Sequence, residues 1–290
     1  MPQPQQEVES TPVAIRITAL VIAHNRPELL RKCLQALEQS NQREQLEILV
    51  VDNGSTGGSN ELKSEFPGAR FIPLPRNFGL TKALNIGIRS AAGEYIFLLH
   101  DDIEVWPATS AGLAAVLEAQ AEVGAVCPRL ANPDGSGAPQ VAKLPEPGAQ
   151  DVDWRAAFPG AEAHAVEYAR GSALMVRSFF LRAMRQIDER YGQFGSDAEL
   201  CRQVRRSAKQ VQVAGAFTAT DHGTARAEPR LQALRRADFE LGLAAYLGKH
   251  YGFAAGLKAR AGFMLRALGA VSRLRYVWSG QKIDGTQPGA

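Results

Sequence analysis

Residues 93–105 have the sequence Gly93-Glu94-Tyr95-Ile96-Phe97-Leu98-Leu99-His100-Asp101-Asp102-Ile103-Glu104-Val105. The unbroken apolar run from Tyr95 to Leu99 is typical of a strand that is covered on both faces, so it predicts a central strand of a sheet. In an open α/β sheet, ligands bind outside the carboxyl ends of the strands, which is where His100, Asp101 and Asp102 fall. We therefore expect a binding site at the end of this strand.

The two adjacent carboxylates of Asp101 and Asp102 give a first indication of what is bound. Like charges at this spacing repel each other unless positive charge lies between them, and a hard divalent cation that carries a phosphorylated ligand would supply it. The same residues could instead be solvated caps of the turn that leads to Pro107. The pair alone does not decide between these two interpretations.

Length and composition limit the class of protein. The chain has 290 residues, enough for one large α/β domain with an appendage, and its 45% hydrophobic and 22% charged residues are typical of a soluble protein. No run approaches the ~18 consecutive apolar residues of a membrane span, and the N-terminus lacks a signal-peptide pattern. Cys33, Cys127 and Cys201 form no CxxC pair, which argues against a disulfide framework or a zinc site. We expect a cytoplasmic protein in which Cys33 packs in the core.

The net charge of +3 conceals an asymmetry along the chain. From Arg226 onward there are eleven basic and four acidic residues, so this part carries +7 and the remainder carries −4. A surface of one sign attracts a partner of the opposite sign. We expect the C-terminal part to face lipid headgroups or a phosphorylated substrate.

The first fifty residues predict a parallel pair of strands. Ile15 to Ala23 is apolar, Pro27 suits the first turn of an amphipathic helix that ends near Gln39, and Leu46 to Val51 is a second buried strand. A strand, a helix and a strand this close together form a βαβ unit, in which the two strands are parallel.

Two polar residues of the following segment are candidates for ligand binding. Asp52 ends the second strand, where it could form an Asx turn or accept hydrogen bonds from a nucleotide base or ribose. A short strand at Phe71 to Leu74 precedes Arg76-Asn77-Phe78-Gly79, which opens a helix that ends at Ser90. Lys82 lies near the start of this helix, where it would either bind an anion or remain a solvated surface lysine.

The order of these motifs resembles the nucleotide-sugar half of a family 2 glycosyltransferase, in particular the bacterial rhamnosyltransferase-like enzymes of cell-surface polysaccharide assembly. The motifs that carry the resemblance are Ala23-His24-Asn25-Arg26-Pro27, Asp52-Asn53-Gly54-Ser55, Asn77-Phe78-Gly79, Asn85-Ile86-Gly87 and Leu99-His100-Asp101-Asp102. The resemblance implies an α/β chain with the GT-A fold, which has a Rossmann-like nucleotide-binding half and a mixed central sheet. A C-terminal helical extension would follow it.

The resemblance also implies which residues bind the donor and a metal ion. The donor-binding residues would be Ala23, His24, Asn25, Arg26, Asp52, Asn77, Gly79, Lys82 and Asp101, with Asp101 near the ribose. Asp102 would hold Mn²⁺ or Mg²⁺, and His222 would complete the metal site. Two positions depart from the family pattern, because His24 replaces a common tyrosine and His100 replaces the first aspartate of the signature. His100 would line the site or serve as a further metal ligand.

The catalytic base implied by the resemblance is Asp197. The sequence from Ile187 to Cys201 is similar to the stretch in which the family carries an acidic pair, and Ser196 replaces the first member of that pair. Glu199 is the alternative base. As a structural alternative, Asp197 would cap the helix that begins here, a role that is compatible with catalysis.

His222 follows a predicted strand at Val211 to Ala214. Outside the resemblance it would be an ordinary satisfied surface histidine, and as a metal ligand its ring would be oriented by Asp221.

Two expectations concern the segment that precedes the helix with Asp197. Residues 137–163 predict a long irregular loop, and Ala165 to Val176 predicts a single strand in which Gly171-Ser172 lets the backbone approach a ligand.

The chain therefore divides into three predicted parts: a disordered leader over residues 1–12, a GT-A domain over residues 13–227 and a basic helical extension over residues 228–290. The extension would either lie on the inner face of the membrane as a basic amphipathic helix or cap the catalytic domain with a solvated face.

The function implied is a metal-dependent, inverting transfer of a hexosyl or deoxyhexosyl group. The donor would be a nucleoside-diphosphate sugar of the UDP or dTDP type, the acceptor a saccharide or a lipid-linked saccharide in surface polysaccharide or glycolipid synthesis, and no nucleic acid would take part. One alternative is a sugar nucleotidyltransferase, although His24-Asn25-Arg26-Pro27 lacks the glycines of a phosphate loop. The other is a non-catalytic nucleotide-sugar-binding module, which Ser196 and His100 suggest.

Overall fold

The computed structural model describes residues 14–157, 160–185, 187–223 and 229–280, so the predicted leader lies outside the described residues. The strands are β1 (Ile17–Ala23), β2 (Leu46–Asp52), β3 (Ala69–Pro73), β4 (Tyr95–His100), β5 (Ile103–Val105), β6 (Val123–Ala131), β7 (Pro139–Ala142), β8 (Arg155–Ala156), β9 (Ala163–Val166), β10 (Tyr168–Ala169), β11 (Ala173–Arg177) and β12 (Gln210–Asp221). The helices are α1 (Pro27–Glu38), α2 (Ser59–Glu65), α3 (Leu80–Ser90), α4 (Thr109–Ala119), α5 (Ser178–Ala183), α6 (Ser196–Arg206), α7 (Pro229–Tyr251), α8 (Phe253–Ala267) and α9 (Val271–Ser279).

The main sheet is mixed, with the strand order β3-β2-β1-β4-β11-β6-β12-β5 and with β9 paired to β12. β1 is parallel to both β2 and β4, and β2 is parallel to β3. β11 runs antiparallel to its two neighbours, β4 and β6. These pairings confirm the parallel relation of the first two strands, the central position of β4 and the mixed sheet.

The apolar run of β4 is buried because the sheet is covered on both faces. Ile96 and Leu98 belong to a core with side chains of α3, α6 and α7, whereas Phe97 and Leu99 belong to a core with side chains of α1 and α4. Successive side chains of a strand point to opposite faces, so β4 supplies both cores in alternation.

The packing of α1 fixes the loop that precedes it. Pro27 occupies its first turn, where a missing N–H costs no helical hydrogen bond, and the apolar stripe of Leu30, Cys33, Leu34 and Leu37 is buried. Cys33 is therefore a core residue, as predicted. Because the helix starts four residues after β1 ends, residues 24–26 are held at the carboxyl edge of the sheet.

The segment before α6 differs from the expectation. The region 137–163 was expected to be irregular, but it contains β7 and β8, which form a small sheet with β10 in the order β10-β7-β8. The single strand expected at 165–176 is wrong as well, since parts of β9, β10 and β11 occupy it. The turn at Gly171-Ser172 separates β10 from β11, and each piece is too short for its side-chain periodicity to be recognised.

The C-terminal helices share the core on the α3 and α6 side of the sheet. Tyr246, Phe263 and Val277 are fully buried there. α7 and α8 pack closely because Gly248 and Gly256 face each other, and a Cβ on Gly256 would lie 2.8 Å from the Gly248 Cα. In the part of the chain that the structure describes, no helix combines the length and apolar content needed to cross a bilayer. The boundary at residue 228 stays a prediction.

Candidate active site

The polar ends of three parallel strands lie side by side at the carboxyl edge of the sheet. In the register of the sheet, Ala23 at the end of β1 pairs with Asp52 of β2, and Ile22 pairs with His100 of β4. The loops that follow these strands therefore emerge next to one another, which is where ligands bind in this class of sheet. The sequence predicted this convergence.

Asn25 joins the loop after β1 to the loop after β2. Its φ of 53° lies in the left-handed region, which asparagine tolerates better than most residues. The side-chain Oδ1 accepts the backbone N–H of Thr56 at 2.8 Å, and the backbone N–H of Asn25 donates to Ser55 Oγ at 3.0 Å. In this structure the residue shapes the binding edge, and its predicted contact with the donor stays a prediction.

Asp52 forms the Asx turn that the sequence left as one of two interpretations. Its Oδ1 accepts the backbone N–H of Ser55 at 2.9 Å, and the residue is buried. Gly54, with a φ of 77°, brings this turn against the loop before α3, since a Cβ there would lie 2.2 Å from the carbonyl carbon of Arg76. Only glycine fits that approach.

Asn53 also lies at this edge, although it was not among the site residues predicted from the sequence. Its Nδ2 donates to Asn77 Oδ1 at 2.9 Å, and its Oδ1 accepts the N–H of Phe78 at 2.8 Å. Asn77 Oδ1 also accepts the N–H of Gly79 at 2.7 Å, directly before α3. Lys82 is exposed, with its Nζ 4.8 Å from the centre of the Phe78 ring. The signal for Asn53 was its position immediately after a strand-ending aspartate.

A guanidinium lies between the two adjacent carboxylates. Arg26 Nη1 donates to Asp102 Oδ2 at 2.8 Å, and its other terminal nitrogen donates to Asp101 Oδ1. Asp101 is fully buried and also accepts the backbone N–H of His24 at 3.3 Å. Burial raises the pKa of Asp101 to about 6, and the charge of Arg26 offsets only part of that rise. Asp101 therefore supports Arg26 and His24, and its predicted contact with a ribose stays a prediction.

A second guanidinium approaches this edge from α7. Arg235 is partly buried and makes no ion pair with any residue that the structure describes. Burial, together with the nearby charge of Arg26, lowers the pKa of Arg235. Arg26 is already paired with Asp101 and Asp102, whereas the charge of Arg235 has no carboxylate partner among the described residues, and a cation without such a partner attracts an anion. Nothing in the sequence pointed to this residue beyond the basic character of the C-terminal part.

Asp102 and His222 are neighbours, as the predicted metal site requires. The backbone N–H of His222 donates to the backbone carbonyl of Asp102 at 3.0 Å, because β12 pairs with β5 just before this point. Carboxylate and imidazole are ordinary ligands of Mn²⁺. Among the described ranges, no group of three or more acidic, histidine or cysteine side chains is arranged to hold a metal. The two residues thus fit an ion that takes its other ligands from a phosphorylated substrate and water.

The ring of His222 is oriented by a different carboxylate from the one expected. Its Nε2 lies 2.7 Å from Glu104 Oε2, whereas Asp221 Oδ1 accepts the backbone N–H of Gly223 at 2.8 Å. Asp221 is the last residue of β12 and its side chain bonds the turn that follows, whereas the pairing of β12 with β5 places Glu104 opposite Thr220, close to His222. The expectation that Asp221 orients the ring is wrong for this structure.

Asp197 stands at the start of α6 with its carboxylate held by three donors. Its Oδ1 accepts the Tyr168 hydroxyl at 2.6 Å and the backbone N–H of Ala198 at 2.9 Å. Its Oδ2 accepts the N–H of Gly171 at 3.2 Å. Burial and the charge of Asp197 raise the pKa of Tyr168, so the phenol stays protonated and remains a donor. The carboxylate is fixed in orientation without being shut off from substrate.

One cavity connects Asp197 with the end of β4. Its walls include Asp197, His100 and Ser172, and the N–H of His100 donates to the carbonyl of Ser172 at 3.0 Å. Burial lowers the pKa of His100, although the nearby carboxylates of Asp102 and Asp197 oppose that change, so the imidazole is neutral at physiological pH. Ser172 Oγ is buried and has no hydrogen-bond partner among the described residues. The carboxylates of Asp102 and Asp197, which are far apart in the sequence, therefore both lie close to His100.

Glu199, the alternative base, occupies a different environment. Its Oε2 accepts the Tyr191 hydroxyl at 2.9 Å and lies 2.7 Å from His250 Nε2. Its Oε1 accepts Nε2 of Gln203 at 2.8 Å and lies 3.1 Å from Lys249 Nζ. The residue is only 2% exposed. Glu199 connects α6 to α7. Because both of its oxygens are engaged in these contacts and the side chain is buried, Asp197 is the better candidate for the base.

Comparison with known proteins places the chain among glycosyltransferases. It is 25% identical over 198 residues to the N-acetylglucosaminyl-diphospho-decaprenol L-rhamnosyltransferase of Mycobacterium tuberculosis, which covers 59% of this chain and 64% of that protein. It is 33% identical over 90 residues to glycosyltransferase GlyA of Streptococcus pneumoniae, covering 30% of this chain and 13% of GlyA. The chain thus spans less than two thirds of the length of each of these relatives.

The fold also matches a solved glycosyltransferase structure. The crystal structure of GalNAc-T7 with UDP, GalNAc and Mn²⁺ superposes with a TM-score of 0.66 at 12% identity, over 92% of this chain and 56% of that one. At this identity the likeness concerns the fold alone, and it confirms the GT-A architecture. The model of the family described as "Glycosyl transferase family 2" matches residues 18–184, more than half of the chain. This chain therefore belongs to glycosyltransferase family 2.

Proposed function

We propose that this chain transfers a sugar from a nucleoside-diphosphate sugar to a saccharide or lipid-linked acceptor, with inversion, in surface polysaccharide or glycolipid synthesis. The observation that carries the proposal is the cavity that both Asp197 and His100 line, since the charges of Arg26 and Asp102 lie close to the same histidine. The site for the nucleotide sugar would then lie next to Asp197, the proposed catalytic base. The name of the mycobacterial relative, a rhamnosyltransferase with a lipid-diphosphate substrate, supports the class of acceptor.

The donor, of the UDP or dTDP type, would bind along the carboxyl edge of β1 and β2. His24 Nδ1 is buried there with no hydrogen-bond partner in the described part of the chain, so a nucleoside could supply one. Arg26 and Arg235 would lie against the diphosphate. Arg26 is already paired with Asp101 and Asp102, and Arg235, which has no carboxylate partner among the described residues, would supply the attracting positive charge.

Asp102 and His222 would hold the metal ion, Mn²⁺ or Mg²⁺, against the diphosphate. When bound, such an ion neutralises negative charge on the departing diphosphate oxygen. Glu104 would keep the imidazole of His222 in place, since its carboxylate lies 2.7 Å from Nε2. Arg26 would balance the remaining carboxylate charge of Asp101, which is buried and has no access to bulk water.

Asp197 would act as the general base. In an inverting transfer the acceptor hydroxyl attacks the anomeric carbon from the face opposite the leaving group, so its proton must be taken up on that side. Tyr168 and the N–H of Gly171 hold the carboxylate in one orientation. A positioned carboxylate in this role contributes roughly 10² to 10⁴-fold to the rate.

The proposed location is the cytoplasm, with peripheral contact to the inner face of the cell membrane through the basic C-terminal helices. A lipid-linked acceptor would be presented at that surface. The positive charge of the chain after Arg226 supports this location, because the cytoplasmic leaflet is anionic.

A donor panel tests the proposal directly. The full chain is incubated with Mn²⁺, a series of UDP and dTDP sugars and short saccharide or lipid-diphosphate acceptors, and products are identified by mass spectrometry. Release of nucleoside diphosphate that depends on acceptor supports the proposal. Formation of a sugar nucleotide from a nucleoside triphosphate would instead identify a nucleotidyltransferase, and donor binding with no turnover across the panel would identify a binding module.

A further inference from the structure

The outward face of α8 carries a continuous stripe of apolar side chains. Phe253 is 82% exposed, and Leu257, Leu265 and Leu268 are each more than half exposed. The stripe, which we call the α8 stripe, comprises Phe253, Leu257, Ala261, Met264 and Leu265 of α8 together with Leu268, which directly follows the last residue of the helix. These positions recur every three or four residues and so lie along one side of the helix. The opposite side, with Phe263 and Ala267, is already buried against the rest of the fold.

α9 widens this apolar surface at one end. Trp278 is 74% exposed, and together with Leu274 it borders a shallow groove whose other wall is the end of the α8 stripe. Arg260 of α8 donates to the backbone carbonyls of Val277 and Trp278 at 3.4 and 3.3 Å, which holds the two helices together. Large contiguous apolar patches on soluble proteins mark sites of interaction.

The charged side chains in the stretch of chain that contains the α8 stripe have a single sign. Between residues 241 and 280 there are six lysines and arginines and no aspartate or glutamate. Lys258, Arg266 and Arg275 form no ion pair with the residues that the structure describes, so their charge is available to a partner. Arg202 of α6 contacts the Tyr251 hydroxyl at 3.1 Å, two residues before the stripe begins. The exposed Arg205 and Arg206 follow on the same helix, in a groove that Glu146 and Glu167 also line, so the unpaired positive charge of this region is that of Lys258, Arg266 and Arg275.

We infer that the α8 stripe, with Trp278, docks into the headgroup region of an anionic lipid bilayer. Apolar side chains flanked by unpaired lysine and arginine match such a surface, where the chains enter the interface and the cations bind headgroups. A tryptophan at the edge of the patch suits the boundary between water and acyl chains. A second copy of this chain would bring the same positive charge to the contact, which opposes self-association through this face.

This inference deepens the proposed function, since a lipid-linked acceptor would lie in the same bilayer, but docking itself needs no catalysis. The test is therefore sedimentation of the full chain with vesicles, without donor or acceptor. The vesicles contain phosphatidylcholine alone or phosphatidylcholine with phosphatidylglycerol. We expect binding to the anionic vesicles that weakens as salt is added, because exposed charges are screened.

Variants separate the surface from a general charge effect. Leu265→Ser combined with Leu268→Ser should weaken binding to anionic vesicles by roughly tenfold or more, since each removes apolar area that would leave water. Phe179→Ser, at a side chain 55% exposed on α5, is the matched control and should bind as the parent does. Lys258→Glu with Arg275→Glu should remove the preference for anionic lipid. Unchanged folding is checked by circular dichroism.

Three results would overturn the inference. The first is equal vesicle binding by the parent and the Leu265→Ser, Leu268→Ser variant. The second is no binding of the parent to anionic vesicles. The third is a parent that self-associates and a variant that does not, which would assign the face to a second copy. If the parent chain bound anionic vesicles but transferred no sugar, that result would contradict the proposed function and not this inference.

Discussion

Arg26 shows how much one residue of this site depends on the whole fold. From the sequence, Arg26, Asp101 and Asp102 were predicted to be site residues, with positive charge between the carboxylates of Asp101 and Asp102. It could not show that a guanidinium supplies part of that charge, because the contact joins residues 75 and 76 positions apart. Only the parallel register of β1 and β4 brings them together.

The first prediction concerns Arg26→Met. Removing the guanidinium leaves two buried carboxylates without their partner, so the free energy of unfolding at pH 7.5 should fall by about 3–5 kcal/mol, measured by urea denaturation. Because the pKa of Asp101 is raised to about 6, protonation at lower pH removes the unpaired charge. The loss should therefore be smaller at pH 5.

Arg31→Met is the control for this change. Arg31 lies on the same helix and pairs with Glu28 and Glu65 at the surface, where water screens the charges, so its loss should cost much less than the loss of Arg26. An equal cost for the two variants, or a loss at Arg26 that does not shrink on acidification, would contradict this account.

The second prediction concerns Ser172, whose buried hydroxyl lacks a partner in the cavity beside Asp197. Ser172→Ala removes no side-chain hydrogen bond among the described residues, so its unfolding midpoint should stay close to that of the parent. If the hydroxyl binds substrate, kcat/KM should fall roughly tenfold, the equivalent of about one hydrogen bond. Ser110 Oγ is also buried and unpartnered in the described structure, but it lies on α4 away from the cavity.

Ser110→Ala should therefore leave both stability and kcat/KM unchanged. A parallel fall in activity for both serine variants, or no fall for Ser172→Ala, would remove Ser172 from the substrate site.

Other residues show where sequence reasoning ends. Asp52 was singled out because it ends an apolar run, a signal that local pattern carries, whereas Asn25 was proposed from the resemblance of its motif to the family. Arg235 was missed because α7 carries several arginines, and the pattern does not say which of them turns towards Arg26. That depends on how the helix docks on the core.

At the scale of elements, α7 is tied to the segment that carries the base. Asp238 is buried and accepts the backbone N–H groups of Gln193 and Phe194 at 2.9 and 3.2 Å, just before α6 begins. Glu199 adds a second connection through His250 and Lys249. The contacts of α7 with both ends of this junction therefore hold the first turn of α6, which carries Asp197, in place.

The third prediction concerns this junction. Hydrogen bonds from Gln203, His250 and Lys249 lower the pKa of Glu199 despite its burial. A lowered pKa stabilises the fold above the ordinary glutamate range, and that stabilisation is lost as pH falls through it. Glu199→Gln should reduce the free energy of unfolding by about 2–3 kcal/mol at pH 7, with a smaller difference near pH 4.

Unfolding in urea at both pH values measures this difference. Glu118→Gln, at a largely exposed side chain, serves as the control and should change stability by less than ~0.5 kcal/mol. A Glu199→Gln difference that stays constant from pH 7 to pH 4 would show that the charge of Glu199 does not stabilise the junction.

The elements divide clearly into predictable and unpredictable ones. β1, β2, β4 and the helices α1 and α3 were found because each has a sustained apolar pattern and a turn signal at its end. The region of β7 to β11 was not, because its strands have two to five residues and their partners are distant in sequence. β11 belongs to the main sheet only through its antiparallel pairing with β4 and β6.

For the whole molecule, the sequence predicted the class of fold and the edge of the sheet at which the polar strand ends lie side by side. The order of the motifs was sufficient because strands, helices and loops alternate regularly up to β4. It left open how α7 to α9 sit, since an amphipathic basic helix fits either a protein core or a membrane surface. The structure shows that their inner faces complete the core.

The fourth prediction concerns the metal ion. Calorimetric titration of UDP or dTDP into the full chain should give about tenfold or more tighter binding with Mn²⁺ than with a chelator, because the ion would join the diphosphate to Asp102 and His222. Asp102→Asn and His222→Ala should each remove most of that difference. Equal affinity with and without the ion, or variants that respond to Mn²⁺ as the parent does, would place the ion elsewhere or exclude it from donor binding.

The central claim is that Asp197 takes the acceptor proton beside the bound donor, and single-turnover transfer by Asp197→Asn tests it most directly. With an active donor and acceptor pair, the account predicts a fall in the transfer rate of roughly 10² to 10⁴-fold while the donor dissociation constant stays unchanged. A variant that transfers sugar at the parent rate, or that loses donor binding together with transfer, would contradict it.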